Sequence, residues 1–331
     1  MKLENQNLVK LPVKDLAKKI ICDGHLFLSS GERKFYLMKP GIFVDPAFIK
    51  KHAVNNPTFD FSPVVNEETR EKFRQLFREL KYLQFEKDLR IKCFEIIRTF
   101  HEIYSGSEHF LSFALACHDE FCKIPMEMQG RLHETDMHLY RKCLYSGAFA
   151  VITGMANDFY HFMMLRDFYN LTFCLDVGLC EENYSYFVAE ACNAENKKPG
   201  SGKAYLEREH ASELEKEIFL GHPDKSYAFL KQESLLAYPE LAEVTRYQHE
   251  LSDGTGFPRR IMKGQVSTWE AVVIFADSLV EIQSEYEFET SVIPFLLNFE
   301  NQKLSELPVG KAYKKVKNSF EYLKTMKETG S

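Results

Sequence analysis

Apolar residues follow two different spacings along the chain, and the change between them divides it in two. Near the start, short apolar runs at residues 26–28 and 34–37 flank a glycine-containing turn, which predicts two strands. Asp45 followed by Pro46 predicts the start of a short helix, because aspartate caps helices and proline suits the first helical position. The polar, proline-bearing stretch 55–63 predicts a linker.

Helical spacing begins at Asn66, a residue that can cap a helix. Five apolar residues then recur at the intervals of one helix face, namely Phe73, Leu76, Phe77, Leu80 and Leu83. Apolar periodicity resumes over residues 93–100, and beyond residue 126 nearly every segment fits a helix. Breaks are predicted at Gly154, at 197–202 and at 253–258.

These patterns predict a mainly α fold, in which an all-α domain follows a small mixed α/β N-terminal unit. We assign residues 1–62 to the N-terminal unit, 63–125 to a helical connector and 126–331 to the helical domain. A helical domain of roughly 200 residues has an ordinary size.

The composition narrows the function classes. The chain has 331 residues, of which 45% are hydrophobic and 27% charged, so disordered and collagen-like classes are excluded. Its 42 basic and 48 acidic residues give a net charge of −6, which argues against duplex nucleic acid but not against a small nucleotide. No apolar run approaches the roughly 18 residues of a membrane span, and no signal peptide follows Lys2. We expect a cytoplasmic protein with reduced cysteines.

The strongest signal for chemistry lies in residues 247–258. This segment predicts a helix that ends at His249 and Glu250 and runs into a turn containing Gly254 and Gly256. Such a turn presents backbone N–H groups that can hold phosphate.

Asp277 interrupts a strongly apolar helix predicted over residues 269–282. A carboxylate in that setting caps a helix, is paired, or binds a cation. A second glycine-rich stretch at 200–203 lacks the spacing and the hydroxyl of a phosphate-binding loop, so we interpret it as an ordinary loop.

The run at 249–258 resembles the His-His-Glu-x-x-Asp-Gly-x-Gly-Tyr-Pro signature of HD-GYP domains, a branch of the HD superfamily of metal-dependent phosphohydrolases. Other pieces follow in the family's order. Residues 276–277 match its Ala-Asp pair, and residues 222–223 match its metal-binding His-Pro pair. Residues 174–178 align with its Leu-His-Asp-Ile-Gly core, and residues 138–141 match its His-Ser-x-Arg.

The resemblance covers about residues 126–290 and implies one or two divalent metal ions, iron or manganese. The implied metal ligands are Glu134, His138, Asp176, His222, His249 and Asp277. The implied catalytic residues are Asp176, as a bridge between ions, and Asp253, at the lip of the substrate site. The implied substrate contacts are Arg141, Gly254, Gly256, Phe257 and Pro258. Two ions about 3.5–4 Å apart would activate a water and clamp a phosphodiester.

Glu134 and His138 are four residues apart, so on one helix they would reach the same ion. Other positions depart from the family pattern. Leu175 replaces the histidine of the His-Asp pair, and Gln248 replaces the first histidine of His-His-Glu, so two imidazoles are absent. Phe257 stands in place of the tyrosine, and Leu179 in place of a lysine. The literal His-Asp pair at 118–119 comes too early in the chain and is interpreted as coincidental.

Two functions therefore remain open. In the first, the protein is a bacterial signalling phosphodiesterase that hydrolyses cyclic di-GMP, the substrate implied by the resemblance, with weak or lost activity. In the second, it is a catalytically degenerate binding or scaffold module that responds to a cyclic dinucleotide. In either case the N-terminal unit is a candidate contact for a protein signalling partner. A purely structural helical adaptor would leave the histidine and aspartate pattern unexplained.

Overall fold

The computed structural model describes residues 8–30, 33–53, 57–103, 107–180, 183–285, 299–301 and 303–329. The N-terminal unit is built from β1 (Val9–Pro12), α1 (Val13–Leu16), β2 (Gly24–Ser30), β3 (Arg33–Met38), α2 (Pro46–Ala53) and β4 (Thr58–Pro63). Its strands form one antiparallel sheet in the order β1-β4-β2-β3. One face of this sheet packs on a small apolar core that includes Leu26, Phe59 and Phe61.

The two predicted strands are confirmed as β2 and β3, and their connecting turn at 31–32 lies outside the described residues. The predicted helix start is also confirmed. The Asp45 carboxylate accepts hydrogen bonds from the N–H groups of Ala47 at 2.8 Å and Phe48 at 3.0 Å, and α2 then continues to Ala53.

The predicted linker at 55–63 is wrong for its second half, because residues 58–63 form β4. This strand lies inside the sheet between β1 and β2. Phe59 and Phe61 alternate into the core with the period of two that a strand requires. The prolines that suggested a linker lie at the ends of the strand, where a missing N–H disturbs few ladder bonds. Residues 54–56 lie outside the described part of the chain.

The helical part confirms the mainly α fold. Its helices are α3 (Glu67–Tyr82), α4 (Glu86–Ile103), α5 (Ser107–Phe121), α6 (Met126–Thr135), α7 (Met137–Ala156), α8 (Phe162–Phe173), α9 (Tyr186–Lys197), α10 (Ser201–Arg208), α11 (Glu213–Glu233), α12 (Thr268–Glu285) and α13 (Gly310–Thr329). Short 3₁₀ segments cover Val177–Leu179, Pro239–Tyr247 and Lys263–Gln265. The Asn66 side chain caps α3 by accepting from the Thr69 N–H at 2.9 Å, as predicted.

One apolar core runs through the helical part from α3 to α13, so α3, α4 and α5 pack in the same core as the later helices. The division at residue 125 stays a prediction. Helix α7 lies at the centre of this core, and its residues from Cys143 to Ala156 are all buried. The predicted break at Gly154 is wrong. This glycine lies within α7, where an added Cβ would be 3.0 Å from the Phe168 ring, so its small size permits α8 to pack closely.

The predicted single helix through Glu134 and His138 is also wrong. Asp136 adopts an extended conformation between α6 and α7, and its carboxylate accepts from the His138 N–H at 2.7 Å to cap α7. The predicted helix through His249 ends earlier, since the 3₁₀ segment stops at Tyr247. Within the described ranges, no helix combines the length and apolar character needed to cross a membrane.

Candidate metal centre

Three side chains from separate parts of the helical domain converge at one buried point. Asp176 precedes the 3₁₀ segment Val177–Leu179, His222 lies in α11, and His249 follows the segment Pro239–Tyr247. The Nε2 atoms of the two histidines are 3.1 Å apart, and Asp176 Oδ1 is 3.5 Å from His222 Nε2. One ligand atom from each residue lies within 4.8 Å of the other two. Atoms bound to one ion at about 2.0–2.2 Å lie roughly 3–4 Å apart, so these separations suit a single cation.

Backbone contacts fix Asp176 against α11. The Gly178 N–H donates to Ser226 Oγ at 2.9 Å, and the Ser226 hydroxyl donates to the Leu175 carbonyl at 2.6 Å. A Cβ at Gly178 would lie 2.2 Å from the His222 carbonyl oxygen, so only glycine allows this approach. The turn that carries Asp176 is therefore held beside His222.

Both imidazoles are oriented to present Nε2 to the shared point. His222 Nδ1 lies 2.6 Å from the Phe219 carbonyl oxygen, so the N–H on Nδ1 donates there and Nε2 keeps its lone pair. His249 Nδ1 faces Glu195 Oε1 at 3.8 Å. Burial, reinforced by nearby His222, lowers the pKa of His249 well below its usual value. His249 is thus neutral, as a metal-binding imidazole must be.

Gln248 adds an amide at the same point. Its Nε2 lies 2.8 Å from His249 Nε2 and also contacts His222 Nε2, while its Oε1 is buried without a hydrogen-bond partner among the described residues. A half-turn of the amide exchanges the two atoms and presents the oxygen to the imidazoles. Amide oxygen is a ligand for hard divalent ions. The residues present therefore fit a divalent cation.

A lysine occupies the other side of Asp176. Lys142 Nζ, on α7, lies 2.9 Å from Asp176 Oδ2 and 3.3 Å from Asp277 Oδ2. Ser146, one turn along α7, donates to Asp277 Oδ1 at 3.0 Å. Asp277 thus has protein donors on both oxygens and is not a member of the Asp/His/His group.

Burial and the neighbouring charges shift the pKa values of Asp176 and Asp277 in opposite directions. Burial alone would raise the pKa of Asp176, but Lys142 and His222 outweigh it and hold the pKa below its usual value. Burial, together with the neighbouring Asp176 charge, raises the pKa of Asp277 despite Lys142.

The loop after His249 is shaped by Glu250. This fully buried carboxylate accepts three backbone hydrogen bonds, from Arg259 at 2.6 Å, Arg260 at 3.0 Å and Ile261 at 2.8 Å. The Phe257 N–H donates to the His249 carbonyl at 3.1 Å, which closes the loop on itself, and the Phe257–Pro258 peptide bond is cis.

Most N–H groups of this turn already have partners within the loop. The Gly254 N–H donates to the Leu251 carbonyl at 3.0 Å, and the Thr255 N–H donates to Asp253 Oδ1 at 2.9 Å. The expectation that this turn offers several N–H groups to a phosphate is therefore not supported by these contacts. The exposed Asp253 is occupied within its own turn, since it also accepts from the Thr255 hydroxyl at 2.7 Å.

The remaining predicted residues lie elsewhere. Glu134 and His138 are exposed, on either side of the break at Asp136. Arg141 lies against the N-terminal unit, where its Nε is 3.2 Å from Tyr145 Oη. Leu175 is buried in the apolar core.

The pair at 118–119 diverges, as expected for a coincidental match. His118 Nε2 is hydrogen-bonded to Gln129 Oε1 in the interior at 3.1 Å, whereas Arg70 binds Asp119 through two nitrogens at 2.8 and 3.0 Å.

The sequence reasoning missed Lys142, Ser146 and Glu195. Glu195 accepts the N–H groups of Gly200 at 2.8 Å and Gly202 at 2.9 Å, so it ties the loop between α9 and α10 to His249. The only sequence signal for this contact is a spacing, since Glu195 lies five residues before Gly200 and seven residues before Gly202.

A small cavity lies beside the centre, and a larger groove shares two of its lining residues. A cavity of about 20 Å³ is lined by His249, Glu195 and Asp277. An open groove of about 440 Å³ adjoins it at Pro199 and Leu251. This volume is within the usual range for small-molecule sites.

Comparisons with known proteins give one distant likeness. No protein-family model matches the chain, and no curated protein matches it. The solved structure of Bd1817, a HDG"Y"P protein from Bdellovibrio bacteriovorus, aligns with 95% of this chain and 100% of its own at 10% sequence identity and a TM-score of 0.38. A likeness at that identity and TM-score assigns no function to this chain.

Proposed function

We propose that this chain is a metal-dependent phosphohydrolase of the HD type that acts weakly on a cyclic dinucleotide such as cyclic di-GMP. The observation that carries the proposal is the convergence of Asp176, His222 and His249, three buried ligands from distant parts of the sequence. The order of these residues along the chain, and the loop that follows His249, match the sequence resemblance that suggested the family.

Asp176 and the two imidazoles would hold the ion, with Gln248 as a further oxygen ligand. A divalent ion bound there would polarise a phosphoryl oxygen and lower the pKa of a bound water. Manganese and iron suit this mixture of imidazole and oxygen donors. The chain's own part is to orient the ligands: Phe219 and Glu195 face the Nδ1 atoms of the two histidines, as outer partners do in metal sites.

The groove is a candidate site for the nucleoside parts of a ligand, because it shares Pro199 and Leu251 with the cavity beside His249. Its lining includes Lys198 but also Asp253 and Glu306, so it offers little net positive charge to a polyanion. The phosphate charge would instead be balanced at the centre, by the ion and by Lys142. This arrangement favours a substrate with one phosphodiester placed at the centre and its nucleoside parts in the groove.

A binding module is the second candidate, and two observations favour it. Leu175 puts an apolar side chain where the family has an imidazole, and Gln248 replaces another. Nucleotide binding without turnover would follow if the remaining ligands position a phosphate but do not activate a water.

We also propose that the N-terminal unit contacts a protein partner. It already lies against α7, because Phe43 makes an edge-to-face contact with Tyr140 at 5.7 Å and Gly41 packs beside Tyr145. A partner bound to this unit would thus reach the helix that carries Lys142.

The decisive experiment combines elemental analysis of the purified protein with a turnover assay on cyclic di-GMP in the presence of Mn²⁺. We expect bound metal and slow formation of the linear dinucleotide, both lost in His222→Ala. Metal and nucleotide binding without product would favour the binding module. Absence of metal in the folded wild-type protein would refute the phosphohydrolase, and nucleotide binding without metal would favour the binding module.

A further inference from the structure

Lys142 lies between two carboxylates, those of the buried Asp176 and the half-buried Asp277. Its Nζ is 2.9 Å from Asp176 Oδ2 and 3.3 Å from Asp277 Oδ2, and the side chain is only 10% exposed. Asn196 Oδ1 lies 3.4 Å from the same nitrogen. Each of these oxygens can accept one N–H bond of the ammonium.

The two oxygens of Asp176 face different partners. Oδ1 is directed to His222 Nε2 at 3.5 Å, on the side of the Asp/His/His group, and Oδ2 is directed to Lys142. A carboxylate that bridges two metal ions has this arrangement, with one oxygen for each ion. Here one of the two positions is held by a side chain of the protein.

The geometry leaves no room for a second ion beside Lys142. An ion bound to Asp176 Oδ2 and Asp277 Oδ2 at about 2.0–2.2 Å would overlap an ammonium that contacts the same two oxygens. Like charges that close also repel strongly in a buried site. Leu175, next to Asp176, has an aliphatic side chain and offers no ligand atom.

We infer that Lys142 takes the place of a second metal ion, so that the centre binds a single divalent ion through Asp176, His222 and His249. The inference rests on the proposed function. From this position the Lys142 ammonium would stabilise the charge of a bound phosphate and would hold Asp176 in place. A single bound ion would supply the activation of water.

The test is to measure Mn²⁺ bound per chain after dialysis, with the electron paramagnetic resonance spectrum as a second readout. We expect one Mn²⁺ per wild-type chain, with the resolved hyperfine pattern of an isolated ion. Lys142→His replaces the ammonium with a ligand, so it should bind two ions and show the broadened spectrum of a coupled pair. Lys142→Arg keeps the charge and should stay at one.

Lys92→His is the matched control. Lys92 also lies between two carboxylates, 2.7 Å from Glu79 and 2.7 Å from Glu95, but outside the Asp/His/His group. Its substitution should leave one ion per chain. Asp277→Asn provides a variant of nearly unchanged shape in case Lys142→His does not fold. Because Asp277 binds Lys142 rather than the ion, this variant should keep one ion with affinity within about threefold.

Each other outcome overturns a distinct claim. Two ions in the wild-type chain, or one ion in folded Lys142→His, would refute the role of Lys142 and leave the proposed function standing. Loss of the ion in Asp277→Asn would make Asp277 a ligand and also refute it. No ion in the folded wild-type chain would refute the proposed function itself.

Discussion

The ring of Phe257 lies nearly parallel to the imidazole of His249, with ring centroids 4.6 Å apart and an angle of 15° between the planes. Phe257 also packs on Phe219 at 5.3 Å, the residue whose carbonyl orients His222. The Phe257 ring therefore packs directly on His249 and, through Phe219, helps to hold His222. HD-GYP domains carry tyrosine at this position.

Removing this ring should loosen the centre. Phe257→Ala should weaken Mn²⁺ binding by about tenfold, because outer contacts that orient ligands have effects of this size. The free energy of unfolding should fall by about 1–3 kcal/mol, since the ring is half-buried. Isothermal titration with Mn²⁺ and chemical denaturation measure the two effects.

Phe257→Tyr is the control that keeps the ring. Its unfolding free energy should stay within about 1 kcal/mol of wild type, and turnover or nucleotide affinity should improve only with metal bound. Unchanged Mn²⁺ affinity in Phe257→Ala would contradict the supporting role of the ring.

Gln248→His should strengthen the ion site, because the amide already lies in contact with both imidazoles. An added imidazole should tighten Mn²⁺ binding roughly tenfold, and Gln248→Leu, which removes the polar atoms, should weaken it. Unchanged Mn²⁺ affinity in both variants would show that the Gln248 side chain does not reach the bound ion.

Gly256→Ala should disrupt the loop that carries Phe257. An added Cβ would lie 2.4 Å from the His249 carbonyl oxygen and 2.5 Å from the Leu251 nitrogen, both backbone atoms that cannot move aside easily. We expect a loss of about 2–4 kcal/mol of stability together with weaker metal binding. Gly264→Ala is matched to it, because among the described residues, apart from its two chain neighbours, nothing lies within 4 Å of the added Cβ. It should change stability by about 0.5 kcal/mol or less.

Stability should fall below about pH 6.5 in part because of His118. Burial lowers the pKa of this histidine in the folded protein, whereas the unfolded chain takes up a proton near the usual value. The unfolded state thus binds more protons as the pH falls, so the contribution is complete above pH 6.5 and is lost below it, by at most about 1.4 kcal/mol per pH unit.

Denaturation curves at several pH values should show a smaller acid loss in His118→Gln than in wild type. The exposed His210 gives the control, since His210→Asn should keep the wild-type slope. An unchanged slope in His118→Gln would mean that His118 titrates alike in both states.

The candidate ligands could be found from sequence because they come in a fixed order. Asp176, His222 and His249 lie far apart in the chain, and only the resemblance relates them. Lys142 could not be found in this way. Nearly all of α7 beyond it is buried, so no polar stripe indicates which side of the helix faces the carboxylates.

Local signals account for the other differences. Asp136 is a favourable capping residue, so a new helix begins after it. Glu134 and His138 therefore lie on different helices, although their spacing of four residues suits a single helix. In β4, the alternation of Phe59 and Phe61 outweighs the flanking prolines, because burial of the two rings stabilises the strand.

The loop at residues 248–258 contains two kinds of residue, which differ in what their side chains contact. Glu250, Gly254 and Gly256, which match the family, hold the backbone of the loop in shape. Gln248 and Phe257, which depart from it, face the imidazoles. The residues that fix the backbone of the loop are thus different from the residues that face the imidazoles. The residues of such a motif that hold the backbone can therefore persist in a chain while the residues that face the ion site change.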